Sequence, residues 1–265
     1  MKVGSAVVAA AWLAAAGPGL ASPLRVMSLD QCADQYVLAL VPEATLALSP
    51  RADDPDAWMR ETARDHRRIR PTLEAAVGFR PNVVVRYWGG EPRLLARLDR
   101  GGTRLLALSD ANDFAGIRAN IRTVARGLDV PERGERLIAR MDDRLASVAR
   151  RSTAARPALY LTAGGFTAGA GTLMDAMLKA AGFSNAAERP GFGPVSVERI
   201  ALTPPARFVL GFFDQARADW RGPGRHPVVR NAARTRTVTR LPAAVLTCPA
   251  WFTADGVAQI AASAG

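Results

Sequence analysis

Residues 72–89 read TLEAAVGFRPNVVVRYWG and combine an apolar helix-like run, a proline and a strand-like run that ends in two aromatic residues. The same order returns 124 positions later, where residues 196–213 read SVERIALTPPARFVLGFF. In both copies a hydroxyl residue stands at the expected N-cap and a glutamate follows two positions later, which favours a helix start. The repeat predicts that the chain contains two similar α/β units.

Strand-like and helix-like runs alternate on both sides of a helical middle section. Before that section the strand-like runs are LRVMSL, TLALS, NVVVRYW and TRLLALS, and after it they are ALYLTAG and ARFVLGFF. Each run is apolar and is bounded by turn residues. Alternation of this kind predicts parallel sheets covered by helices.

The middle section, 113–151, is helix-like apart from the segment LDVPERG, in which Pro131 suits the first turn of a new helix. Beyond this proline, one narrow apolar stripe runs along an otherwise charged helix and consists of Leu137, Met141, Leu145 and Val148. Such a stripe predicts a strut that rests on two bodies. A helix of about 20 residues spans about 30 Å.

The predicted fold class is therefore α/β, with two Rossmann-like lobes joined by a single long backbone helix. The N-terminal α/β lobe is predicted to comprise residues 23–128, the linking helix 129–155 and the C-terminal α/β lobe 156–265.

The first 22 residues have the pattern of an export signal. They contain one lysine, a short apolar stretch, a GPG break and an end of small residues. This pattern predicts a cleavable signal peptide over 1–22, cut after Ala21 or Ser22, and a periplasmic location. The alternative is an uncleaved anchor, although the apolar stretch is short for a membrane span.

The composition argues against nucleic-acid binding and against a metal centre built by the chain. The formal net charge is +11, but the basic residues are scattered and form no long run. His66 and His226 are the only histidines, whereas a zinc or manganese site needs several converging ligands. The stretch TAGGFTAGAGT lacks the lysine of a phosphate-binding loop and is predicted to be a flexible strand-to-helix loop. We therefore predict no catalytic residues, no metal site and no cofactor.

Aromatic residues gather after the predicted strands. Tyr87 and Trp88 close the first unit, Phe213 closes the second, and Trp251 lies in a loop-like stretch near the end of the chain. Because ligands of open α/β sheets bind at the carboxyl ends of strands, these residues predict an aromatic-lined cleft, with Arg86 as a partner for anions. The alternative for each aromatic residue is simple core packing.

Glu74 and Glu198 are the matched acids of the two units. Each follows a predicted N-cap by two positions, where an acid stabilises the start of a helix. Their equivalent placement also allows a shared external role, in which each lobe presents one carboxylate at a corresponding surface point.

The order of these pieces resembles one family, the helical-backbone class of periplasmic solute-binding proteins of ABC importers for ferric siderophores, heme and cobalamin. The similarity covers nearly all of the chain after the signal segment. It rests on RVMSLDQCADQYVLAL, LEAAVGFRPNVVVRYWGG, the helix after LDVPERG, GTLMDAMLKAAGFSNAAE and VSVERIALTPPARFVL. The second unit departs from the family by having PPAR where Pro-Asp is usual.

The resemblance implies a function without catalysis. The protein would capture a metal chelate between its lobes and deliver it, as a monomer, to a permease and its ATPase. Glu74 and Glu198 fall on the positions that dock onto arginines of the permease. Tyr87, Trp88 and Trp251 fall in the segments that contact the ligand. The alternatives are a periplasmic α/β enzyme of unknown reaction, which would need a converging acid–base or metal constellation, and a signalling module that kept the lobes.

Cys32 and Cys248 are the only cysteines. By the family pattern both face the cleft, and an oxidising compartment permits a disulfide between them. Closing so long a loop is worth about 4–5 kcal/mol in the chain-entropy model. Two free thiols, or two soft ligands for a bound metal complex, are the competing hypotheses.

Overall fold

The structure is a computed structural model that describes residues 23–149, 156–215 and 221–263. The predicted signal peptide, 1–22, and the end of the predicted linking helix, 150–155, lie outside the described residues. Within the described ranges, no helix combines the length and the apolar character that a bilayer crossing needs.

The N-terminal lobe is a parallel sheet with helices on both faces. Its strands are β1 (Arg25–Ser28), β2 (Thr45–Leu48), β3 (Arg67–Arg68), β4 (Val83–Arg86) and β5 (Arg104–Ala107). Its helices are α1 (Gln31–Leu40), α2 (Arg60–Ala63), α3 (Leu73–Phe79), α4 (Pro92–Arg100) and α5 (Phe114–Gly127). The strand order is β3-β2-β1-β4-β5. The chain adds strands on one side of β1 up to β3 and then on the other side from β4, and open α/β sheets bind ligands at such a switch point, here between β1 and β4.

The valine run of β4 shows why this sheet is buried on both faces. Val83 and Val85 pack with Val26 and with residues of α1 and α5. Val84 points to the other face and packs with Met27 and with residues of α3 and α4. Because successive side chains of a strand alternate between faces, a continuous apolar run fills both cores of a doubly covered sheet.

The C-terminal lobe repeats this design with a second parallel sheet. Its strands are β6 (Arg156–Thr162), β8 (Phe183–Asn185), β10 (Phe208–Gly211) and β11 (Thr237–Leu241), in the order β11-β10-β6-β8. A two-stranded antiparallel ribbon consists of β7 (Phe166–Ala168) and β9 (Phe192–Pro194). Its helices are α7 (Leu173–Ala180), α8 (Val197–Leu202), α9 (Pro227–Ala233), α10 (Ala243–Leu246) and α11 (Thr253–Ala262).

A single long helix, α6 (Pro131–Ala149), joins the lobes and begins at the predicted proline. Leu137 and Met141 are buried in the core of the N-terminal lobe, and Val148 is buried in the core of the C-terminal lobe. Leu145 packs against both cores. The stripe therefore divides between two bodies, as the sequence predicted for a strut.

The C-terminal segment returns to the N-terminal lobe. Val245, Cys248, Ala250 and Phe252 pack in the same core cluster as α1 and α5. The sequence pattern places this segment in the C-terminal lobe, but its apolar side chains complete the core of the other lobe. The lobes thus share packing through the C-terminal segment as well as through α6.

The glycine-rich stretch is not the flexible loop that the sequence predicted, because it contains β7. That strand pairs with β9 in the register Phe166↔Pro194, and the ribbon lies at the carboxyl end of β6. Gly169 permits the ribbon to close, since a Cβ at this position would lie 1.8 Å from the carbonyl oxygen of Arg189. The glycines favour a loop locally, but pairing with β9, which is distant in sequence, makes this segment a strand.

Candidate functional site at the carboxyl ends of the strands

One buried carboxylate organises the loop after β4. Asp30 follows β1, and its Oδ1 accepts a hydrogen bond of 3.0 Å from the backbone N–H of Ala33, which caps α1. Its Oδ2 accepts from three consecutive backbone N–H groups, those of Tyr87 (2.7 Å), Trp88 (3.2 Å) and Gly89 (3.0 Å). The place of Asp30 directly before a helix-like run is an N-cap signal in the sequence, but its bonds to the loop after β4 have no local signal. Asp30 fixes this loop at the switch point.

Tyr87 and Trp88 extend from the fixed loop in different environments. Tyr87 is half-buried, and its hydroxyl donates a hydrogen bond of 2.5 Å to Oδ1 of Asp110 after β5. Burial raises the pKa of the Tyr87 phenol above its usual value, and the neighbouring carboxylate of Asp110 raises it further. Trp88 is 57% exposed. The indole of Trp88 is therefore exposed to solvent on a loop whose backbone is held by Asp30.

Arg86 takes part in the closure of the same loop. Its side chain is half-buried, and its Nε donates a hydrogen bond of 2.6 Å to the carbonyl oxygen of Gly89. A Cβ at Gly89 would lie 2.4 Å from the carbonyl oxygen of Leu29, so the turn packs closely on the end of β1. Part of the guanidinium is thus used inside the loop.

Trp251 belongs to an aromatic cluster that joins the C-terminal segment to the N-terminal lobe. We define this cluster as Tyr36, Trp58, Trp251 and Phe252. Trp251 lies edge-on to Tyr36 (5.7 Å between centroids) and to Phe252 (5.3 Å). Trp58 stacks on Phe252 at 5.0 Å and is 39% exposed. Trp58 is not among the predicted site residues, although it lies in the loop after β2 and the search for aromatic residues after strands applies to it as well.

Phe213, which follows β10, has two arginines over its ring. The guanidinium of Arg225 lies 5.1 Å from the centroid of its ring, and that of Arg240 lies 6.0 Å away. Arg225 also donates to the carbonyl oxygen of Phe213 (3.2 Å). The preceding residue, Phe212, has a φ of 62°, a left-handed conformation that is strained for an aromatic residue. The loop after β10 is therefore tightly constrained.

The two lobes meet across these loops. The side-chain amide of Gln215, after β10, donates a hydrogen bond of 2.9 Å to Oδ2 of Asp56 on the N-terminal lobe. Oδ1 of Asp56 accepts a hydrogen bond of 2.9 Å from the amide of Gln31, at the start of α1. Loops that follow the strands of the two sheets therefore contact each other through Asp56.

Glu74 and Glu198 are exposed at the starts of α3 and α8. Thr72 and Ser196 are the predicted N-caps, and each accepts a hydrogen bond from a backbone N–H three residues later. The hydroxyl of Ser196 also donates 2.7 Å to Oε2 of Glu198, and this bond lowers the pKa of that carboxyl.

Exposed aliphatic side chains lie near both acids. Leu73 and Val77 on α3, and Leu202 on α8, are 44%, 54% and 84% exposed. Each lobe thus presents a carboxylate together with apolar surface.

The predicted pairing of Cys32 with Cys248 is present in the structure as a disulfide bond. Within the described ranges, no group of three or more His, Cys, Asp or Glu side chains is placed to hold a metal ion.

The chain matches a family model described as periplasmic binding protein over residues 39–211, which is more than half of its length. It therefore belongs to the periplasmic binding protein family, which is a family of solute-binding proteins. The predicted fold class and the resemblance to the helical-backbone class are confirmed. No curated protein matches the sequence significantly.

Solved structures of similar fold include several with stated ligands. A periplasmic heme-binding protein from Pseudomonas aeruginosa is 25% identical with a TM-score of 0.67, and the match covers 91% of this chain and 92% of that one. The periplasmic heme-binding protein RhuT from Roseiflexus sp. RS-1 is 24% identical with a TM-score of 0.68, over 92% and 100% of the two chains. The periplasmic vitamin B12-binding protein BtuF of Vibrio cholerae is 21% identical with a TM-score of 0.65, over 91% and 96%.

Proposed function

We propose that the protein is the periplasmic solute-binding component of an ABC importer and that it holds a metal chelate with a large flat ring, heme being the first candidate, between its lobes. The observation that carries the proposal is the exposed indole of Trp88, which Asp30 fixes at the switch point of the sheet. An indole on a rigid loop offers a flat ring both contact area and a stacking surface.

The surroundings of Trp88 support the same choice. Trp58 is partly exposed on the same lobe, and Phe213 lies at the matching strand end of the other lobe. The bridge between Gln215 and Asp56 joins the two lobes beside these loops. Of the three solved structures named above, two are described as heme-binding and one as vitamin B12-binding, and both ligands are metal complexes of large rings.

Delivery would use the two exposed glutamates. A membrane permease that presents an arginine to each lobe would pair with Glu74 and Glu198, and the aliphatic side chains beside them would add apolar contact. The matched positions of α3 and α8 support this role, since one two-lobed partner could engage both. The chain would act as a monomer, catalyse no reaction and hand its cargo to the permease and its ATPase.

The proposed location is the periplasm, reached through the signal peptide over 1–22. Mass spectrometry of the protein recovered from a periplasmic extract tests this point. The expected mass is that of a chain that begins at Ser22 or Pro23, and an intact Met1 in the membrane fraction would contradict cleavage.

A titration of the purified protein tests the ligand. Hemin should give saturable one-to-one binding, followed by its visible absorbance and by quenching of tryptophan fluorescence. Cobalamin and an iron(III) hydroxamate serve as competitors. Saturable binding of the hydroxamate alone would replace the ring ligand with a siderophore, and binding of none of the three would contradict the proposal.

A further inference from the structure

The C-terminal lobe has a second concave surface, which we call the arginine groove. It has a volume of about 860 Å³ and lies between α9, β11 and the loop after β10. Its charged lining residues are Arg225, Arg230, Arg234 and Arg240, and none of its described lining residues is acidic. A volume of this size lies within the range of small-molecule sites, which is about 300–1,000 Å³.

Arg230 on α9 and Arg234, the residue that caps the C-terminus of α9, lack counter-charges. Arg230 and Arg234 are four residues apart, so they lie on the same side of the helix, where like charges repel. Neither side chain forms an ion pair or a hydrogen bond with any residue that the structure describes. The dipole of α9 favours a positive charge at Arg234, because this residue lies at the C-terminal end of the helix. The dipole does not explain why an arginine of β11 lines the same groove.

Contacts with Phe213 and with the loop after β10 fix the positions of two arginines of the groove. Phe213 lies below the guanidiniums of Arg225 and Arg240, which gives two cation–π contacts. Arg225 also donates to the carbonyl oxygens of Phe213 (3.2 Å) and Gln215 (3.5 Å). Gln215 also bonds Asp56 on the other lobe, so one arginine of the groove contacts a residue that bridges the two lobes.

The polar groups of the lining suit carboxylate and phosphate groups. A guanidinium binds a carboxylate or a phosphate through two parallel hydrogen bonds, and four guanidiniums around one concavity can hold two or more such groups. Asn231 adds a neutral hydrogen-bonding group to the lining, whereas the hydroxyl of Thr237 already donates to the carbonyl oxygen of Ala233 (2.7 Å).

We propose that the arginine groove binds a small molecule that carries two or more carboxylate or phosphate groups. Two sources of these groups exist: a free small polyanion, or the acidic substituents of the chelate held in the cleft. Only the second source rests on the proposed function.

The first experiment uses chelate-free protein and two probes, inorganic pyrophosphate and citrate, in calorimetric titrations at about 0.15 M salt, where long-range attraction is screened. The wild type should bind at least one probe saturably. R230Q/R234Q should weaken this binding by about tenfold or more, since charge-assisted hydrogen bonds are lost. R230K/R234K, which keeps the charge but loses the planar fork, should bind with intermediate affinity.

The matched control is R93Q/R97Q, which removes two exposed arginines from α4 and changes the net charge by the same amount. Its affinity for the probes should remain within about twofold of that of the wild type, since screened charges outside the site contribute little. Equal weakening in both double variants would overturn the proposal, because it would reveal only general attraction to a basic protein. Failure of the wild type to bind either probe would overturn it as well. Thermal unfolding of each variant checks that the fold is intact.

The second experiment identifies the source. If the groove holds the acidic substituents of the cleft ligand, R230Q/R234Q weakens binding of hemin but not of its dimethyl ester, and pyrophosphate competes with hemin. If the groove serves a separate polyanion, hemin and pyrophosphate bind together and the variant binds hemin normally. Binding of pyrophosphate without binding of hemin would contradict the proposed function and leave the groove assignment standing.

Discussion

Cys32, in the first helix, is bonded to Cys248, near the end of the chain, across 216 positions of sequence, and their Cα atoms lie 5.4 Å apart. Both cysteines are buried in the core of the N-terminal lobe. The bond therefore anchors the C-terminal segment to a lobe whose sheet it does not join.

The disulfide should stabilise the fold chiefly by restricting the unfolded chain. Replacement of both cysteines with serine should lower the free energy of unfolding by about 2–5 kcal/mol. Urea unfolding measures this change. Wild-type protein treated with a reductant is the control and should unfold like the variant. Two titratable thiols in the denatured, non-reduced wild type would contradict the bond.

Asp34 should make stability depend on pH between about 4 and 6. Burial raises the pKa of Asp34 to about 6, against hydrogen bonds from Ser28 and Ser49 that lower it, and the nearby carboxylate of Asp30 adds to the rise. Below pH 4 both the folded and the unfolded chain hold the proton. As the pH rises to 6 only the unfolded chain loses it, so stability should fall by about 3 kcal/mol and then stay constant.

The variant Asp34→Asn isolates this contribution. Its free energy of unfolding, measured by urea titration at several pH values, should lack the decline that the wild type shows between pH 4 and 6. Asp65→Asn, at an exposed position, is the matched control and should keep the wild-type profile. Parallel profiles for Asp34→Asn and the wild type would contradict the assignment.

Asp30→Ala should destabilise the protein more than the loss of an ordinary helix cap. It leaves the backbone N–H groups of Ala33, Tyr87, Trp88 and Gly89 without their acceptor. We expect a loss of about 2–4 kcal/mol, together with weaker hemin binding through the released loop. Asp113→Ala, which removes only the cap of α5, should cost about 1 kcal/mol. Equal costs for the two variants, by urea unfolding, would refute the organising role of Asp30.

Trp88→Ala should weaken hemin binding by about five- to tenfold, because the indole contributes stacking and contact area. Leu202→Ala removes an even more exposed apolar side chain from α8 and should leave hemin binding unchanged. A normal affinity of Trp88→Ala for hemin, in a protein that binds hemin well, would place the ligand on another loop.

Arg86→Ala should weaken hemin and its dimethyl ester alike. The Nε of Arg86 donates to the carbonyl oxygen of Gly89 and so supports the loop that carries Trp88. Loss of the Arg86 side chain should therefore disturb the position of Trp88 whatever the charge of the ligand. Comparative titrations of the two ligands measure the difference. If only hemin is affected, Arg86 reads the ligand's carboxylates, as the sequence analysis predicted.

Glu74→Ala with Glu198→Ala should abolish most uptake without changing hemin affinity. Both carboxylates are exposed, and each lies in the first turn of its helix. Growth on heme as the iron source measures uptake, and titration measures affinity. Glu91→Ala with Glu132→Ala, a pair of equally exposed acids, is the control. Normal growth of the Glu74→Ala/Glu198→Ala variant would show that the two glutamates only stabilise the starts of their helices and do not dock to a permease.

The sequence by itself determined the features that depend on local order. The repeat at an offset of 124, the alternation of strand and helix signals and the stripe from Leu137 to Val148 predicted two α/β lobes and a strut. The N-caps at Thr72 and Ser196 were also readable, since a cap bonds a backbone group only three residues away. Aromatic residues after strands indicated the cleft because parallel strands end at one edge of a sheet.

Only the tertiary structure decided how distant segments combine. It brought Asp30 to the N–H groups of Tyr87, Trp88 and Gly89, more than 50 positions away, and packed the C-terminal segment into the opposite lobe. It also gathered Arg225, which precedes α9, and Arg240 of β11 around Phe213. In the sequence these arginines have no periodic spacing that marks them as neighbours. They come together only because β11 pairs with β10.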